Sequence, residues 1–438
     1  MKLSRYNFLR QYDDATIFFN STTCALAVVD ENFLRVVDDV KNNFYVEENY
    51  DAQLIADMKS SGCLVEDDVD ELERLEFYRN LAKYDMTNLG LTIAPTLDCN
   101  FRCKYCFETH PKGKMTSETQ AALINFVESR LERAKNFSVT WYGGEPLLAK
   151  EIIWSLSEKF LAICAEAGIE YNAFIITNAS LLDDSDVELF KKYKINGAQI
   201  TIDGVKEVHD SRRRNVTGES TFDKLINSVN ILLNNDLTAI VRINIDKENL
   251  DRVEEFLDVL AKKIDRRADL KIGFGQVTAY TDICKSIESD CYNNAQFADI
   301  MLPLYEKVLV RGFTVNKMAA YPSPKVNFCC ADYANAFVVD NHGEIYRCWN
   351  HVGDLKLSSG NINNLNEEFT KNYLSWIQWN PIRHSKCREC DCLPICMGGC
   401  PDAMKNSIDK QPVCGRVKYN LEKVLEHYYE QLKGEVAE

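Results

Sequence analysis

The chain has 438 residues, of which 46% are hydrophobic, and its 66 acidic residues against 51 basic ones give a formal net charge of -15. This length exceeds one ordinary core and predicts a barrel-sized domain with smaller partners. The negative charge argues against a nucleic-acid interface, which needs clustered lysines and arginines. No segment reaches the roughly 18 apolar residues of a membrane helix, and the start lacks the apolar core of a signal peptide, so we expect a cytoplasmic protein without a membrane partner.

Residues 1–85 predict a small amino-terminal module. The predicted elements are two short strands around Asp13 and Asp14, helices at Glu31–Lys41 and Ala52–Ser60, a last strand or wing at 63–65, and a helical linker at 71–85. This order resembles a winged helix-turn-helix, which often binds DNA. Because the module is acidic, contact with duplex phosphates is disfavoured. Peptide binding by strand addition at a sheet edge is the favoured use.

Residues 86–280 predict a parallel sheet covered by helices, because strand-like runs alternate with amphipathic stretches in six units. The predicted strands are 91–97, 138–142, 171–177, 198–202, 239–245 and 271–277, and helices are expected to begin near Thr116, Leu148, Asp183, Thr221 and Asn249. The fold class is therefore α/β, with a partial (β/α)6 TIM-type barrel whose active site lies at the carboxyl ends of the strands. Residues 281–328 form a bridging region before a cysteine-rich domain at 329–438.

The chain has 17 cysteines, which a cytosolic protein cannot use for stable disulfides. Metal or cluster ligation is the better explanation for the twelve that fall into closely spaced groups. The remaining five are interpreted as ordinary small buried residues: Cys24, Cys63, Cys164, Cys284 and Cys291.

One group, Cys99, Cys103 and Cys106, follows the first barrel strand with C-x3-C-x2-C spacing. Soft thiolates select zinc or iron-sulfur clusters. A 4Fe-4S cluster held by three cysteines exposes one iron to a substrate, whereas a structural zinc site needs a fourth ligand. His110 is suitably spaced to be that ligand, so the motif alone leaves both alternatives open.

This loop resembles the signature of the radical S-adenosylmethionine (radical SAM) superfamily. The segment 142–147, with sequence YGGEPL, is similar to the family's glycine-rich motif after strand two, where backbone and Glu hold the methionine amino group. Thr177, Asn178 and Asp203 fall where the family contacts the ribose or methionine, and Arg213 where it contacts the cofactor carboxylate. The resemblance implies these cofactor contacts: Tyr105, Phe107, Gly143, Gly144, Glu145, Pro146, Thr177, Asn178, Asp203 and Arg213.

Simpler interpretations of the same residues exist. A GGEP segment alone is more often a turn, although its place one βα unit after the cysteine loop argues against coincidence. Asn178 and Asp203 could cap the helices that follow them. Arg213 could belong to a solvated basic run with Arg212 and Arg214.

The carboxyl-terminal cysteines resemble the seven-cysteine pattern called SPASM, a better match than two zinc ribbons. By that resemblance, a distal cluster is held by Cys387, Cys390, Cys396 and Cys414, and a proximal cluster by Cys348, Cys400 and one of Cys329 and Cys330. Cys392 has no place in the pattern. Sulfatase-maturing members carry a further proximal cysteine about six residues after the first, but residues 331–336 contain none. The resemblance therefore implies an exposed iron at the proximal cluster, unless both Cys329 and Cys330 bind.

The resemblance implies S-adenosyl-L-methionine and three 4Fe-4S clusters, one for radical generation and two auxiliary. It further implies a precursor peptide, its leader bound by the amino-terminal module, and an electron donor such as flavodoxin or ferredoxin. An open proximal iron could bind a substrate thiolate, which favours thioether formation in a ribosomally made peptide. The alternatives are a carbon-carbon crosslink, epimerisation, formylglycine formation, or a zinc-stabilised binding protein without turnover. No catalytic acid or base is identifiable.

Overall fold

The computed structural model describes residues 1–12, 15–315, 321–364, 370–407 and 409–436. The predicted turn at Asp13 and Asp14 lies outside the described residues. In the described part of the chain, no helix combines the length and apolar character needed to cross a membrane.

The amino-terminal module contains both predicted helices. Its elements are β1 (Lys2–Leu3), β2 (Asn7–Tyr12), β3 (Ala15–Asn20), β4 (Leu26–Val29), α1 (Glu31–Lys41), α2 (Ala52–Ser60), β5 (Leu64–Val65) and α3 (Glu71–Lys83). Each helix begins at an aspartate, Asp30, Asp51 or Asp70, whose carboxylate accepts backbone N–H groups of the first turn. Strands β2, β3 and β4 form an antiparallel sheet, and β5 pairs with β1. The sequence analysis missed β1 and β4, which are too short or too near a turn for clear alternation.

A nine-stranded sheet forms the centre of the molecule. Its strands are β6 (Asn88–Ile93), β8 (Asn136–Trp141), β9 (Glu170–Thr177), β10 (Ile195–Thr201), β12 (Thr238–Ile245), β13 (Lys271–Gln276), β14 (Thr314–Val315), β15 (Ala336–Val339) and β16 (Ile345–Tyr346). Outside it, β7 (Phe101–Cys103) pairs with β11 (Arg213–Asn215). The sheet order is β14-β13-β12-β10-β9-β8-β6-β15-β16, parallel except for β16. The six predicted strands are therefore neighbours in chain order.

The sheet is wider than predicted at both edges. Strand β14 extends it beyond β13, and β15 pairs in parallel with β6 through Phe337 opposite Leu91. The sequence analysis placed the end of the sheet near residue 280, because these added strands have only two to four residues. Their pairing depends on the tertiary structure, and it brings the segment after Cys330 beside the first barrel strand.

Seven helices accompany these strands and cover the sheet. They are α4 (Ser117–Leu131), α5 (Lys150–Ala167), α6 (Asp184–Lys192), α7 (Lys206–Arg212), α8 (Phe222–Asn234), α9 (Val253–Lys263) and α10 (Asn294–Val310). The strands and the inner helix faces share one continuous hydrophobic core, in which Trp141, Phe160 and Phe256 are fully buried. This rigid core fixes the strand ends from which the candidate site is built.

The carboxyl-terminal region contains short helices and one long one. They are α11 (Lys371–Ile377), α12 (Ser385–Arg388), α13 (Leu393–Cys396), α14 (Pro401–Asn406) and α15 (Val417–Val436). The amino-terminal module packs directly on this region. Tyr6 lies in a buried cluster with Met397, Phe19 lies in another with Ile395, and the Ser21 hydroxyl donates to the Asp391 carbonyl at 2.5 Å. The two ends of the chain therefore form one packed body.

Helix α3 is more than the linker that we predicted. Arg79 Nη2 and Lys83 Nζ donate to the same acceptor, the Trp379 carbonyl, at 2.7 and 3.0 Å. Both side chains are almost fully buried. The sequence does not predict this packing, because the many charged residues of α3 are typical of a solvent-exposed helix. Helix α3 instead anchors the amino-terminal module to the carboxyl-terminal region.

Candidate functional site

The predicted cysteine loop leaves the carboxyl end of β6 and is held by backbone pairing. Its Cys103 lies on β7, directly opposite Arg213 on β11. The Lys104 N–H donates to the Arg212 carbonyl at 3.1 Å, and the Cys106 N–H donates to the Cys103 carbonyl at 3.1 Å. The loop is thus held in place by main-chain hydrogen bonds.

Of the three thiols of this loop, Cys99 is buried, and Cys103 and Cys106 are half-buried. Burial raises the pKa of Cys99 to about 12, and the neighbouring Cys103 contributes in the same direction. Burial also raises the pKa of Cys103 and Cys106. Such thiols ionise only beside a strong positive charge, so the donor set fits a metal cluster. The Cys106 Sγ lies 3.3 Å from His110 Nε2, the partner that we considered for zinc.

The glycine loop after β8 packs against the segment that leads into the cysteine loop. A Cβ on Gly143, whose φ is 110°, would lie 2.4 Å from the Thr96 carbonyl oxygen, and one on Gly144 would lie 2.3 Å from that of Asp98. The Glu145 N–H donates to the Asp98 carbonyl at 2.9 Å. Only glycine permits this approach. The two motifs identified in the sequence are thus one structural unit.

Glu145 is fully buried and hydrogen-bonded by neighbouring strands. Its carboxylate accepts from the Leu147 N–H at 2.9 Å, the Thr177 hydroxyl at 2.6 Å and the Asn178 N–H at 2.7 Å. Burial raises the pKa of Glu145 above its usual value. A carboxylate has about four acceptor positions. Glu145 therefore retains one position for a cationic group such as an ammonium.

Tyr105 joins Asp203 and Arg213 into one hydrogen-bonded group. Its hydroxyl donates to Asp203 Oδ2 at 2.6 Å and accepts from Arg213 Nη1 at 2.8 Å. Arg212 Nε lies 3.5 Å from the same Asp203 oxygen, and Arg212 Nη1 lies 2.8 Å from Asp246 Oδ1. Three predicted contact residues from separate segments are thus brought together at the ends of the strands.

The structure contradicts two of the simpler interpretations. Arg212 and Arg213 are only 2% and 8% exposed, so they do not belong to a solvated basic run. Neither Asn178 nor Asp203 caps a helix, because α6 begins after Asp183 and α7 begins after Val205. The Asn178 side chain instead donates to Asn100 Oδ1 at 2.8 Å and accepts from the Ser180 N–H at 2.9 Å.

The four cysteines predicted for the distal cluster line one cavity. The full lining is Lys386, Cys387, Cys390, Leu393, Cys396, Gly398, Pro412, Cys414 and Lys418. A thiol-lined cavity flanked by two lysines fits a group that carries negative charge. Cys392 is absent from the lining, and its side chain packs in an apolar cluster with Phe8 and Phe19.

The cysteines predicted for the proximal cluster come from three segments. Cys348 follows β16, Cys400 directly precedes α14, and Cys330 lines a cavity between β6, β8 and β15. Burial raises the pKa of Cys348, and the neighbouring thiols Cys400 and Cys330 contribute. A hydrogen bond with the Cys329 thiol lowers the pKa of Cys330 below its usual value. The thiols of Cys400 and Cys330 are thus near enough to Cys348 to affect its pKa.

Three buried cations surround this side of the carboxyl-terminal region. Arg79, Lys83 and Arg347 are each 1% exposed, and one buried carboxylate, Asp332, lies among them at 3.6 Å from Arg79. Arg347 donates to backbone carbonyls, including that of Ala336 at 2.6 Å. Buried charges without counterions are costly. The excess of positive charge beside Cys330 fits an anionic set of thiolates around a cluster.

The sequence analysis missed a contact region between the two groups of cysteines. Glu108 is buried, which raises its pKa to about 7, and it interacts with Tyr142. The Tyr142 ring lies 5.2 Å from the Trp349 ring, next to Cys348. Phe107 lies 6.0 Å from the Tyr280 ring. A carboxylate two residues beyond Cys106 was the available signal for this region, but its burial depends on the carboxyl-terminal segment.

Comparison with known proteins agrees with this geometry. Residues 93–260 match the model of the radical SAM superfamily. The chain is 22% identical to the radical SAM cyclopropyl synthase TigE of Paramaledivibacter caminithermalis, over 92% of this chain and 90% of that protein. It is 24% identical to a cysteine-type anaerobic sulfatase-maturating enzyme of Clostridium novyi, over 72% of this chain and 88% of that protein.

Two solved structures share the fold. The structure of anSMEcpe with bound AdoMet and the Cp18Cys peptide aligns with a TM-score of 0.61 and 20% identity, over 78% of this chain and 99% of that one. Streptococcus suis SuiB bound to its precursor peptide SuiA aligns with a TM-score of 0.53 and 17% identity, over 95% of this chain and 98% of that one. The second alignment extends over nearly the whole chain.

Proposed function

From the premise that this chain is a radical SAM enzyme, with its radical SAM domain at residues 93–260, we propose that it is a maturase of a ribosomally made peptide. The modification that we propose is a thioether bond between a cysteine sulfur and a carbon of the same peptide. The identities of that carbon and of the peptide are questions for experiment.

One observation carries this proposal: the cysteine loop of the barrel and the segment around Cys348 converge on one buried region. Trp349 packs on Tyr142 at the end of β8, and Val352 lies in a buried cluster with Ala94 and Leu97, just before the loop. A peptide thiol held near Cys348 would therefore lie close to the radical site. Such proximity is what radical control requires.

The barrel residues provide the radical site in this proposal. When bound, S-adenosyl-L-methionine and a 4Fe-4S cluster supply a 5′-deoxyadenosyl radical. Cys99, Cys103 and Cys106 would hold the cluster, and the free acceptor position of Glu145 suits the methionine ammonium. The guanidinium of Arg213 suits the methionine carboxylate, since charge-assisted bonds of this kind are strong and directional.

The remaining predicted contacts have supporting roles in the proposal. The backbone at Gly143 and Gly144 closely approaches the segment that leads into the cysteine loop, and Pro146 begins the short helical turn that follows. Thr177 and Asn178 orient Glu145, and Tyr105 links Asp203 to Arg213. Phe107 supplies an apolar wall with Tyr280. These residues would fix the cofactor and exclude water from it.

Two auxiliary 4Fe-4S clusters complete the proposal. Cys387, Cys390, Cys396 and Cys414 would hold the distal cluster around their shared cavity. Cys348, Cys400 and one of Cys329 and Cys330 would hold the proximal cluster. An external donor such as flavodoxin or ferredoxin would supply electrons. The buried cations Arg79, Lys83 and Arg347 support an anionic group at the proximal position.

The amino-terminal module is proposed to bind the leader of the precursor peptide as a winged-helix-like recognition element. Its β4 is the edge strand of a three-stranded sheet and exposes Val28, so an extended peptide can add to it. Binding there would raise the local concentration of the core peptide. SuiB, which shares the fold, is bound to its precursor peptide, and this supports a precursor peptide as the partner.

A carbon-carbon bond is the second candidate outcome. It is favoured by the likeness to TigE, a cyclopropyl synthase, which covers 92% of this chain. Formylglycine formation, the outcome suggested by the sulfatase-maturating relatives, is less favoured because residues 331–336 lack the further cysteine expected of that branch.

Co-expression with a small cysteine-containing precursor encoded nearby, followed by tandem mass spectrometry, tests the proposal. A thioether removes two hydrogens, blocks thiol alkylation and is located by fragmentation. A carbon-carbon crosslink also removes two hydrogens but leaves the thiol free, and an epimer keeps its mass. Anaerobically purified protein that contains zinc and no inorganic sulfide would refute every radical outcome.

A further inference from the structure

His351 and Asp402 form a buried pair beside Cys348 that none of the assignments above uses. A single 3-10 turn, Trp349–His351, begins directly after Cys348, and the His351 N–H donates to the Cys348 carbonyl at 3.1 Å. Asp402 lies two residues after Cys400, at the start of α14. One donor atom from each of Cys348, His351 and Asp402 lies within 4.8 Å of the others.

The hydrogen bonding of His351 leaves one ring nitrogen available. Its Nε2 lies 2.7 Å from Asp402 Oδ1, which also accepts from the Asn406 amide at 3.2 Å. Because a carboxylate accepts, we assign a hydrogen to Nε2, and in the tautomer with that single hydrogen Nδ1 carries the lone pair. His351 is only 7% exposed, and its Nδ1 has no hydrogen-bond partner among the described residues.

Burying a polar nitrogen without a hydrogen-bond partner or a metal costs free energy, so we expect the lone pair on Nδ1 to have a partner. The Trp376 ring lies 5.6 Å from the imidazole and helps to fix its orientation. The hydrogen bond from one ring nitrogen to a carboxylate is the arrangement found in metal-ligating histidines. The chemistry of the site therefore points to a metal ion on Nδ1.

We infer that His351 is a protein ligand of the proximal auxiliary cluster through Nδ1, together with Cys348, Cys400 and one of Cys329 and Cys330. This inference rests on the proximal cluster of the proposed function. Asp402 is a positioning residue that fixes the tautomer and the ring. Iron-sulfur clusters prefer thiolate to imidazole. A nitrogen at the fourth position can therefore give way to a substrate thiolate, whereas a further cysteine would hold the position closed.

Pulsed electron paramagnetic resonance on the reduced protein tests this ligand directly. The variant C99A/C103A/C106A is used because it lacks the barrel cluster and retains the carboxyl-terminal segments. The chain has only six histidines. A nitrogen bound directly to the cluster should give a 14N hyperfine coupling of a few megahertz with the electron spin of the cluster. Growth with 15N-labelled histidine should replace this signal by the corresponding 15N hyperfine coupling.

Two further substitutions in the same background assign the signal. His351→Ala should remove the coupling, whereas His384→Ala should retain it. His384 is the matched control, since it lies three residues before Cys387 as His351 lies three residues after Cys348, and it also packs on a tryptophan, Trp379. If His351→Ala does not fold, the labelled parent protein still reports whether a nitrogen is bound.

The outcomes separate this inference from the proposed function. About eight iron atoms per chain with no directly bound histidine nitrogen would overturn the His351 assignment and leave the auxiliary clusters standing. A coupling that survives His351→Ala, or disappears with His384→Ala, would also overturn it. About four iron atoms per chain or fewer, with Cys348 and Cys400 free to react with a thiol reagent, would instead refute the proximal cluster and with it both proposals.

Discussion

The two cysteine-rich parts of the molecule are built on different principles. The barrel loop is fixed by main-chain pairing of β7 with β11 and by the glycine loop packed against it. The carboxyl-terminal cysteines lie instead on or beside helices of four to six residues, such as α12 and α14. Helices this short are not stable alone. The cysteine loop after β6 is thus held by the main chain, whereas the positions of the carboxyl-terminal cysteines depend on tertiary packing.

The largest effect that separates the two regions is expected from replacing Cys99, Cys103 and Cys106 with alanine. Cofactor cleavage should fall below detection, because the three thiolates of the barrel loop are lost together. The carboxyl-terminal clusters should remain, at about eight iron atoms per chain by iron and sulfide analysis. Release of 5′-deoxyadenosine from this variant at the parent rate would refute the assignment of the barrel loop.

Replacing Cys348 or Cys400 with alanine should give the reverse phenotype. Uncoupled cofactor cleavage should continue at a rate within a few-fold of the parent, since the barrel site is intact, while modified peptide should not accumulate. Quantifying 5′-deoxyadenosine and product in the same reaction measures both effects. Cys392→Ala is the control, and we expect it to form product because Cys392 does not line the cavity of the four distal cysteines. Normal product formation by both proximal variants would contradict the proximal assignment.

Gly144→Ala should damage the barrel site without removing any ligand. The added Cβ would meet the Asp98 carbonyl oxygen, so the chain must shift where it enters the cysteine loop. We expect a loss of about 2–3 kcal/mol in the free energy of unfolding, with a raised KM for the cofactor, as measured by anaerobic denaturation and steady-state kinetics. Gly273→Ala on β13, where a Cβ meets no atom within 4 Å, should cost less than 1 kcal/mol. Equal losses in the free energy of unfolding for the two variants would show that the close approach of Gly144 to Asp98 is unimportant for stability.

The smallest effect concerns the buried Lys83. Burial lowers its pKa from 10.5 to about 8, so between these pH values the unfolded chain binds a proton that the folded chain does not. The lysine's contribution to the free energy of unfolding is constant below pH 8 and rises with pH above it, by up to about 1.4 kcal/mol per pH unit.

Lys83→Met should remove this rise, which the difference between the two denaturation series from pH 7.5 to 10 measures. The exposed Lys371→Met is the matched control and should keep the slope of the parent. Parallel pH profiles for the parent and Lys83→Met would show that the lysine is not desolvated in solution.

The sequence by itself determined the parts in which local pattern and chemistry coincide. The alternation of strands and helices predicted six adjacent parallel strands, and the spacing of Cys99, Cys103 and Cys106 identified the loop after the first. Capping aspartates such as Asp30 and Asp51 mark helix starts that are visible without any tertiary contact. These features are local, because a few neighbouring residues specify each of them.

Only the tertiary structure decided the contacts between distant segments. The pairing of β15 with β6, the burial of Arg79 and Lys83, and the position of His351 beside Asp402 each join residues that are 50 or more positions apart. Such contacts produce no repeating pattern in the sequence. Their free energy comes from burial and from charge pairing between segments that are far apart in the chain. The residue types near each site could therefore be predicted, but their partners could not.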